Sequence, residues 1–114
     1  MKINNVELED LDLMDADTLE KVETALEEYR GSIKEVEDFE KLSEYMRYNC
    51  KLSFKLFNDI FGEGTDKKVF GNKTNLLLCV KAVDELVTSV NSIKSKQEKE
   101  IERLTQKYTS RQRK

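Results

Sequence analysis

A cluster of glycines near the middle of the chain most constrains how this sequence can fold. Three of the four glycines of the 114-residue chain fall within residues 62–72, and no proline occurs anywhere. Glycine adopts positive φ angles without the steric penalty of a Cβ atom, and the absence of proline lets helices on both sides run long. The pattern predicts a tight turn, the glycine elbow (residues 62–72), which flanking aromatic side chains fix to the core. The residues that define this structural site are Phe57, Phe61, Gly62, Gly64, Phe70 and Gly71.

The amino-terminal residues 1–14 predict a short β-hairpin and a lead-in to the first helix. Polar and apolar residues alternate on both sides of Asn4-Asn5, a dipeptide that tolerates the positive φ angles of a tight turn. Asp15 or Asp17 is then expected to cap the first helix, because an aspartate accepts hydrogen bonds from the free amides of a first turn. One stripe of apolar residues carries that helix to about Tyr29.

An apolar stripe resumes at Ile33 and continues to Phe61, which predicts one long second helix of about 42 Å. Bulky apolar side chains are densest between Met46 and Phe61, so this part of the helix should form the centre of the core. In the elbow that follows, Thr65 is expected to cap a single helical turn, and Gly71 is expected to end it.

A third long helix is expected to start at Asn72 or Thr74. Its apolar residues alternate four and three positions apart, which is the spacing of a heptad stripe. The stripe consists of Leu76, Val80, Val83, Val87 and Val90, and the same register continues through Lys94, Gln97, Ile101, Leu104 and Tyr108. Ordinary helix packing explains its first half. Little earlier sequence is left to cover Ile101, Leu104 and Tyr108, so we expect these three residues to bind a partner or another subunit.

Together these patterns predict a mainly α fold, a single small helical domain (1–114) with long helices. Its expected parts are the short hairpin and lead-in (1–14), helices (15–61), the glycine elbow (62–72), a long carboxy-terminal helix (73–110) and a basic tail (111–114). A domain of this size buries a modest fraction of its surface, so contacts with partners are expected to contribute to its stability.

Charge is distributed unevenly along the chain. Residues 1–45 contain fifteen acidic and five basic residues, whereas residues 46–114 contain eight acidic and fifteen basic ones. The basic end fits either a solvated helix terminus or a docking site for an acidic partner, including the acidic half of another copy. Nucleic acid is the weakest candidate partner, because the chain is acidic overall and Tyr108 is the only aromatic residue in the basic stretch.

The residue types give little basis for catalysis or for a cofactor. The chain has no histidine, so the usual general base near neutral pH is absent, and two cysteines without histidine make a poor zinc site. Cys50 and Cys79 lie in apolar helical runs and are expected to be buried free thiols. We therefore predict a protein that is not an enzyme and has no catalytic, cofactor-binding or metal-binding residue.

The elbow matches neither a phosphate-binding loop nor a calcium-binding loop. Two extra residues separate its glycines relative to the phosphate motif, and Phe61, Glu63 and Phe70 stand where a calcium loop needs ligands. The elbow is expected to turn the chain and hold the helices, with a partner-binding surface on the same turn as the alternative. No window approaches eighteen apolar residues and no signal-peptide order starts the chain, so we expect a cytoplasmic protein that does not span a membrane.

Several of these segments resemble a family of small acidic proteins encoded in the tail-gene region of prophages of Gram-positive bacteria. The similar segments are Met1-Lys2-Ile3-Asn4-Asn5-Val6-Glu7-Leu8, Asp15-Ala16-Asp17, the glycine elbow and Asn72-x3-Leu76-x2-Cys79. Members of that family have the size and genomic setting of phage tail assembly chaperones. The resemblance implies a non-enzymatic protein of the bacterial host cytoplasm. It would bind the long, helical tape-measure protein, or another tail component, and keep the tape measure soluble during tail morphogenesis.

Two other functions stay open. The long third helix also fits a self-associating helical structural or adaptor protein of a prophage, which would form a homo-oligomer. A small nucleic-acid-binding regulator is the more distant alternative, for the reasons of charge and composition given above.

Overall fold

Helices make up most of the chain in the computed structural model, which describes residues 1–112. The predicted class, a mainly α fold that opens with a short β-hairpin, is confirmed. In chain order the elements are β1 (Lys2–Ile3), β2 (Val6–Glu7), α1 (Ala16–Ser32), a 3-10 turn (Val36–Asp38), α2 (Leu42–Phe61), α3 (Thr65–Phe70) and α4 (Leu76–Gln112). Residues 113 and 114, half of the predicted basic tail, lie outside the described residues.

The hairpin forms around the two asparagines, as predicted. Strands β1 and β2 pair antiparallel, with Ile3 opposite Val6, and Asn4 and Asn5 have φ angles of 52° and 63°. Two consecutive positive φ angles are typical of a type I′ hairpin turn. The side chain of Asn4 donates a hydrogen bond of 2.7 Å to the carbonyl oxygen of Val69. The hairpin therefore ties the amino terminus to the region of the elbow.

Helices α1 and α2 pack antiparallel. Asp15 caps α1 by accepting a hydrogen bond of 3.0 Å from the amide of Thr18, which confirms the first of the two predicted caps. At the other end of α1, the Tyr48 hydroxyl donates to the carbonyl oxygen of Ser32 at 2.9 Å. One turn before Ser32 on α1, Glu28 pairs with Lys55, which lies two turns after Tyr48 on α2. This order of contacts is expected for helices that run in opposite directions.

The prediction of one helix from Ile33 to Phe61 is wrong. The backbone leaves helical geometry at Ile33, passes through the 3-10 turn and enters α2 only at Leu42. Local polar contacts stabilise this break, because the amide of Glu35 donates to the Asp38 carboxylate at 3.0 Å. The ring of Phe39 then packs on two tyrosines of α2, Tyr45 and Tyr48. The chain reverses here so that the stripes of α1 and α2 face each other.

The glycines of the elbow take the positive φ angles expected of them. The angles are 109° at Gly62, 90° at Gly64 and 62° at Gly71, and each lies in a region that side chains with a Cβ atom rarely adopt. Gly71 ends α3, as predicted, but Gly64 rather than Thr65 occupies the capping position. Thr65 is the first helical residue, and its hydroxyl donates to the Gly62 carbonyl oxygen at 2.7 Å.

Helix α4 starts later and faces the core differently than predicted. Its first turn is capped by Asn75, whose side chain accepts a hydrogen bond of 3.0 Å from the amide of Leu78; neither Asn72 nor Thr74 has this role. Val80, which the predicted stripe includes, is 51% exposed. The residues of α4 that are buried are Cys79, Ala82, Val83, Leu86 and Val90. The buried face is thus rotated relative to the predicted stripe, toward small residues that allow close helix packing.

Candidate functional site

Helix α4 extends beyond the rest of the molecule. It contains 37 residues, which corresponds to about 55 Å, and the whole molecule measures 66 × 29 × 21 Å. Near the middle of α4, the Gln97 side-chain amide donates to the Asp12 carboxylate at 3.5 Å. From residue 98 onward, every side chain whose burial is described is exposed. We call residues 98–112 the projecting segment and residues 1–97 the body.

The face of α4 that packs on the body continues along the projecting segment. Steps of three and four residues lead from the buried positions Leu86 and Val90 through Gln97 to the last apolar residues of the helix, so all of them lie on one side. Those last residues, Ile101, Leu104 and Tyr108, are 48%, 50% and 63% exposed. We call this trio the projecting stripe. It is the partner-binding site that the sequence predicts, and the described part of the chain leaves it uncovered.

Charged groups around the projecting stripe are solvated and partly paired within the helix. Arg103 lies 2.6 Å from the Glu100 carboxylate, and this contact holds the pKa of Glu100 below its usual range. Among the charged side chains that the structure describes, no ion pair joins α1 to α4. Exposed pairs of this kind contribute little energy, so apolar contact must supply most of any binding here.

Acidic residues lie at the base of the projecting segment. Exposed carboxylates lie in the lead-in at Asp10 and Asp12, at the N-cap Asp15 and in the first turn of α1 at Asp17. Asp12 is the residue that contacts Gln97. The body therefore presents negative charge beside the place where α4 leaves it.

The predicted aromatic residues of the elbow come together in the core. Phe57 is fully buried and Phe70 is 3% exposed, and their ring centroids lie 5.5 Å apart in an edge-to-face arrangement. Phe61 stacks on Phe57 at 6.2 Å and is half-buried. Phe54, which belongs to the predicted core section (residues 46–61) but not to the predicted elbow, joins the cluster at 5.1 Å from Phe70. These contacts fix the elbow to α2 and place it apart from the projecting stripe.

The two thiols are buried side by side between α2 and α4. Cys50 and Cys79 are both fully inaccessible to solvent and form no disulfide, which confirms the prediction of buried free thiols. Burial, with Cys50 as its neighbour, raises the pKa of the Cys79 thiol to about 12. Because the thiolate is the nucleophilic form, this cysteine stays neutral and unreactive near neutral pH.

This environment predicts that neither native cysteine reacts with a thiol reagent in the folded protein. Near pH 8, labelling with iodoacetamide should be about 100-fold slower or more than at an exposed cysteine, because it requires opening of the core. The variant Ser95→Cys supplies that exposed control on the same helix. Mass spectrometry should find one label on the folded variant and three labels after denaturation in urea. Rapid labelling of Cys79 in the folded state would contradict the described packing.

A shallow depression between α1 and α2 is the other feature with several charged groups. Lys55 lines it and pairs with Glu28 at 3.0 Å and with Asp59 at 2.6 Å. The two carboxylates, Asp59 first, raise the pKa of the lysine. Both carboxylates therefore engage the lysine, which leaves no free cation for an anionic ligand.

The described part of the chain contains neither a candidate metal site nor a candidate membrane-spanning helix. Residues 1–112 contain no group of three or more cysteine, aspartate or glutamate side chains that is placed to hold a metal ion. Among the same residues, no helix combines the length and the apolar character needed to cross a membrane.

The architecture defines a small helical protein whose body holds one end of a long helix and leaves the other end exposed. The chain belongs to a family of unknown function, DUF6673, whose model matches residues 4–114. The match therefore includes the hairpin turn, the elbow and the projecting stripe. Searches among curated proteins and among solved structures give no match.

Proposed function

We propose that this protein is a phage tail assembly chaperone that binds the tape-measure protein and keeps it soluble during tail morphogenesis. The choice of this client rests on the resemblance of the hairpin, the elbow and the start of α4 to small prophage tail-region proteins. The structural observation that carries the proposal is the projecting stripe, an apolar face on a helix that the body does not cover. Chaperone action of this kind needs binding without chemistry, and the burial of both thiols is compatible with that.

The projecting stripe is suited to a helical client. Its residues lie at positions i, i+3 and i+7 on α4, which is the pattern by which one amphipathic helix packs on another. Exposed patches of apolar side chains rimmed by charge commonly mark protein–protein contact sites. A long helical client with apolar stripes of its own would bury Ile101, Leu104 and Tyr108. The charged residues between them would remain in solvent and keep the complex soluble.

We place this activity in the bacterial host cytoplasm. Two cysteines that are neighbours in the core and remain reduced are typical of a reducing compartment. A chaperone for a tail protein would have to act where that protein is synthesised.

A pull-down from cells that co-express this chain and the adjacent tape-measure protein tests the proposal. The variant Leu104→Asp places a charge in the middle of the projecting stripe and should reduce recovery of the tape measure about tenfold or more, because buried apolar anchors dominate such contacts. The matched control is Leu77→Asp, which changes a leucine that is 63% exposed on the same helix but lies outside the stripe. The control should recover as much tape measure as the parent.

Two results would count against the proposal in different ways. If the parent chain recovered no tape measure, the chaperone function would be wrong. If both variants recovered as much as the parent, the client would bind elsewhere on the body, and the projecting stripe would lose its proposed role.

A further inference from the structure

We propose that the projecting segments of two copies of this chain pair as antiparallel helices, each covering the projecting stripe of the other. This inference goes beyond the proposed function and does not depend on it, since it concerns the protein alone. When no other partner is present, a second copy of the chain covers the projecting stripe.

The projecting segment needs a partner to be a stable helix. An isolated helix of about 15 residues is marginal in water, because packing of an apolar face supplies most helical stability in proteins. The contacts described along this segment, such as the pair between Arg103 and Glu100 and the hydrogen bond of 2.8 Å from the Thr105 hydroxyl to the Ile101 carbonyl oxygen, lie within the helix itself. The apolar side chains of the stripe are the groups that a second helix would bury.

One antiparallel register matches the residues of the stripe. If the two-fold axis passes between positions 102 and 103, Ile101 of each copy lies opposite Leu104 of the other. Gln97 of each copy then lies opposite Tyr108 of the other. Alternating steps of three and four residues bring these positions to the common interface of two helices. This register places all the apolar residues of both stripes in the shared contact.

The same register supplies a hydrogen-bond donor that Gln97 lacks. In the described part of the chain, Oε1 of Gln97 is buried and has no hydrogen-bond partner, although the amide nitrogen of the same side chain donates to Asp12. A buried acceptor without a donor is costly. The Tyr108 hydroxyl of the second copy lies opposite Gln97 and donates to Oε1 once the amide turns toward the new helix.

Charge selects the antiparallel over the parallel arrangement. Positions 111, 113 and 114 are basic in the sequence, so a parallel pair would bring two basic ends together. The antiparallel pair instead separates the two basic ends. Position 111 of each copy then comes opposite Lys94 of the other, and the exposed carboxylate of Asp12, which contacts Gln97 one turn away, offsets part of this positive charge. Charges at matching positions set the orientation of paired helices, even where each contributes little to affinity.

Sedimentation equilibrium of the purified full chain, over a series of concentrations, tests whether the pair forms. We expect a monomer–dimer equilibrium, weakened about tenfold or more in Leu104→Asp and unchanged in the control Leu77→Asp. Both substitutions are at exposed leucines, so neither should unfold the body. A parent chain that stayed monomeric throughout the series would overturn the inference, and so would a dimer that Leu104→Asp leaves intact.

Disulfide cross-linking tests the orientation. The variants Ile101→Cys and Leu104→Cys should cross-link rapidly under mild oxidation when they are mixed, and only slowly when each is alone, because the two positions face each other across the axis. The native thiols are buried and should not cross-link. The variant Ser95→Cys measures the rate at which exposed cysteines cross-link by random collision. Rapid cross-linking of each variant with itself would indicate a parallel pair and overturn the antiparallel assignment. Neither assay contains tape measure, so a monomeric parent that still recovers this client would leave the proposed function standing.

Discussion

Replacing Phe57 by alanine should lower the free energy of unfolding by about 3–5 kcal/mol. The Phe57 side chain is fully buried and packs against the rings of Phe61 and Phe70, so its removal leaves a cavity between α2 and the elbow. A small domain is typically stable by about 5–15 kcal/mol, and the variant should therefore be close to unfolding at growth temperature. Urea denaturation followed by circular dichroism measures the loss.

Phe61→Ala is the internal control for this prediction. Phe61 is also an elbow phenylalanine, but it is only half-buried, so its truncation should cost clearly less than that of Phe57 because less apolar surface is lost. Phe70→Ala should resemble Phe57→Ala, since Phe70 is 3% exposed. If all three variants unfolded at the same urea concentration as the parent, the aromatic cluster would not hold the elbow, and the elbow would be an exposed ligand loop.

Local signals in the sequence predict the two turns and the first helix cap well. The hairpin follows from Asn4-Asn5, because few other residues accept two positive φ angles in succession, and the elbow follows from its glycines for the same reason. Asp15 is a recognisable cap. Each of these features depends on the backbone preferences of one or two residues, which do not change with the rest of the molecule.

Features that depend on tertiary packing could not be predicted in the same way. The spacing of apolar residues between Ile33 and Phe61 is compatible with one helix, but α1 must reverse to bury its own stripe against α2, and the break between Ile33 and Leu42 provides that reversal. Nothing in the helical periodicity marks the break. The signal that was available is local, namely the pair of Glu35 and Asp38 that satisfies the backbone of the turn.

The candidate site was predicted from the length of the helix. The projecting stripe follows from the absence of earlier sequence that might cover Ile101, Leu104 and Tyr108, and the structure leaves these residues exposed. The sequence does not reveal that Asp12 meets Gln97 where the body ends, because this contact joins residues that are distant in the chain. The predicted stripe also leaves out Ala82, which is fully buried, because a small side chain adds little to an apolar pattern dominated by large aliphatic residues.

The second large effect that we expect follows from the orientation of α4. Truncating two leucines of this helix should change the free energy of unfolding by very different amounts. Leu86→Ala should lower the free energy of unfolding by about 2–5 kcal/mol, whereas Leu77→Ala should change it by less than about 0.5 kcal/mol. Leu86 is fully buried and Leu77 is 63% exposed, although both are leucines in the half of α4 that lies along the body. The chemical change is identical, so any difference reports burial alone.

Urea denaturation of both variants, beside the parent, decides which face of α4 packs on the body. The stripe predicted from spacing alone places Val80 in the core, and that face would leave Leu86 less buried than it is here. Equal stabilities for the two leucine variants, or a larger loss for Leu77→Ala, would contradict the packing of α4. It would also remove the basis for the projecting stripe, because Ile101, Leu104 and Tyr108 belong to an interface only if they continue the face that carries Leu86.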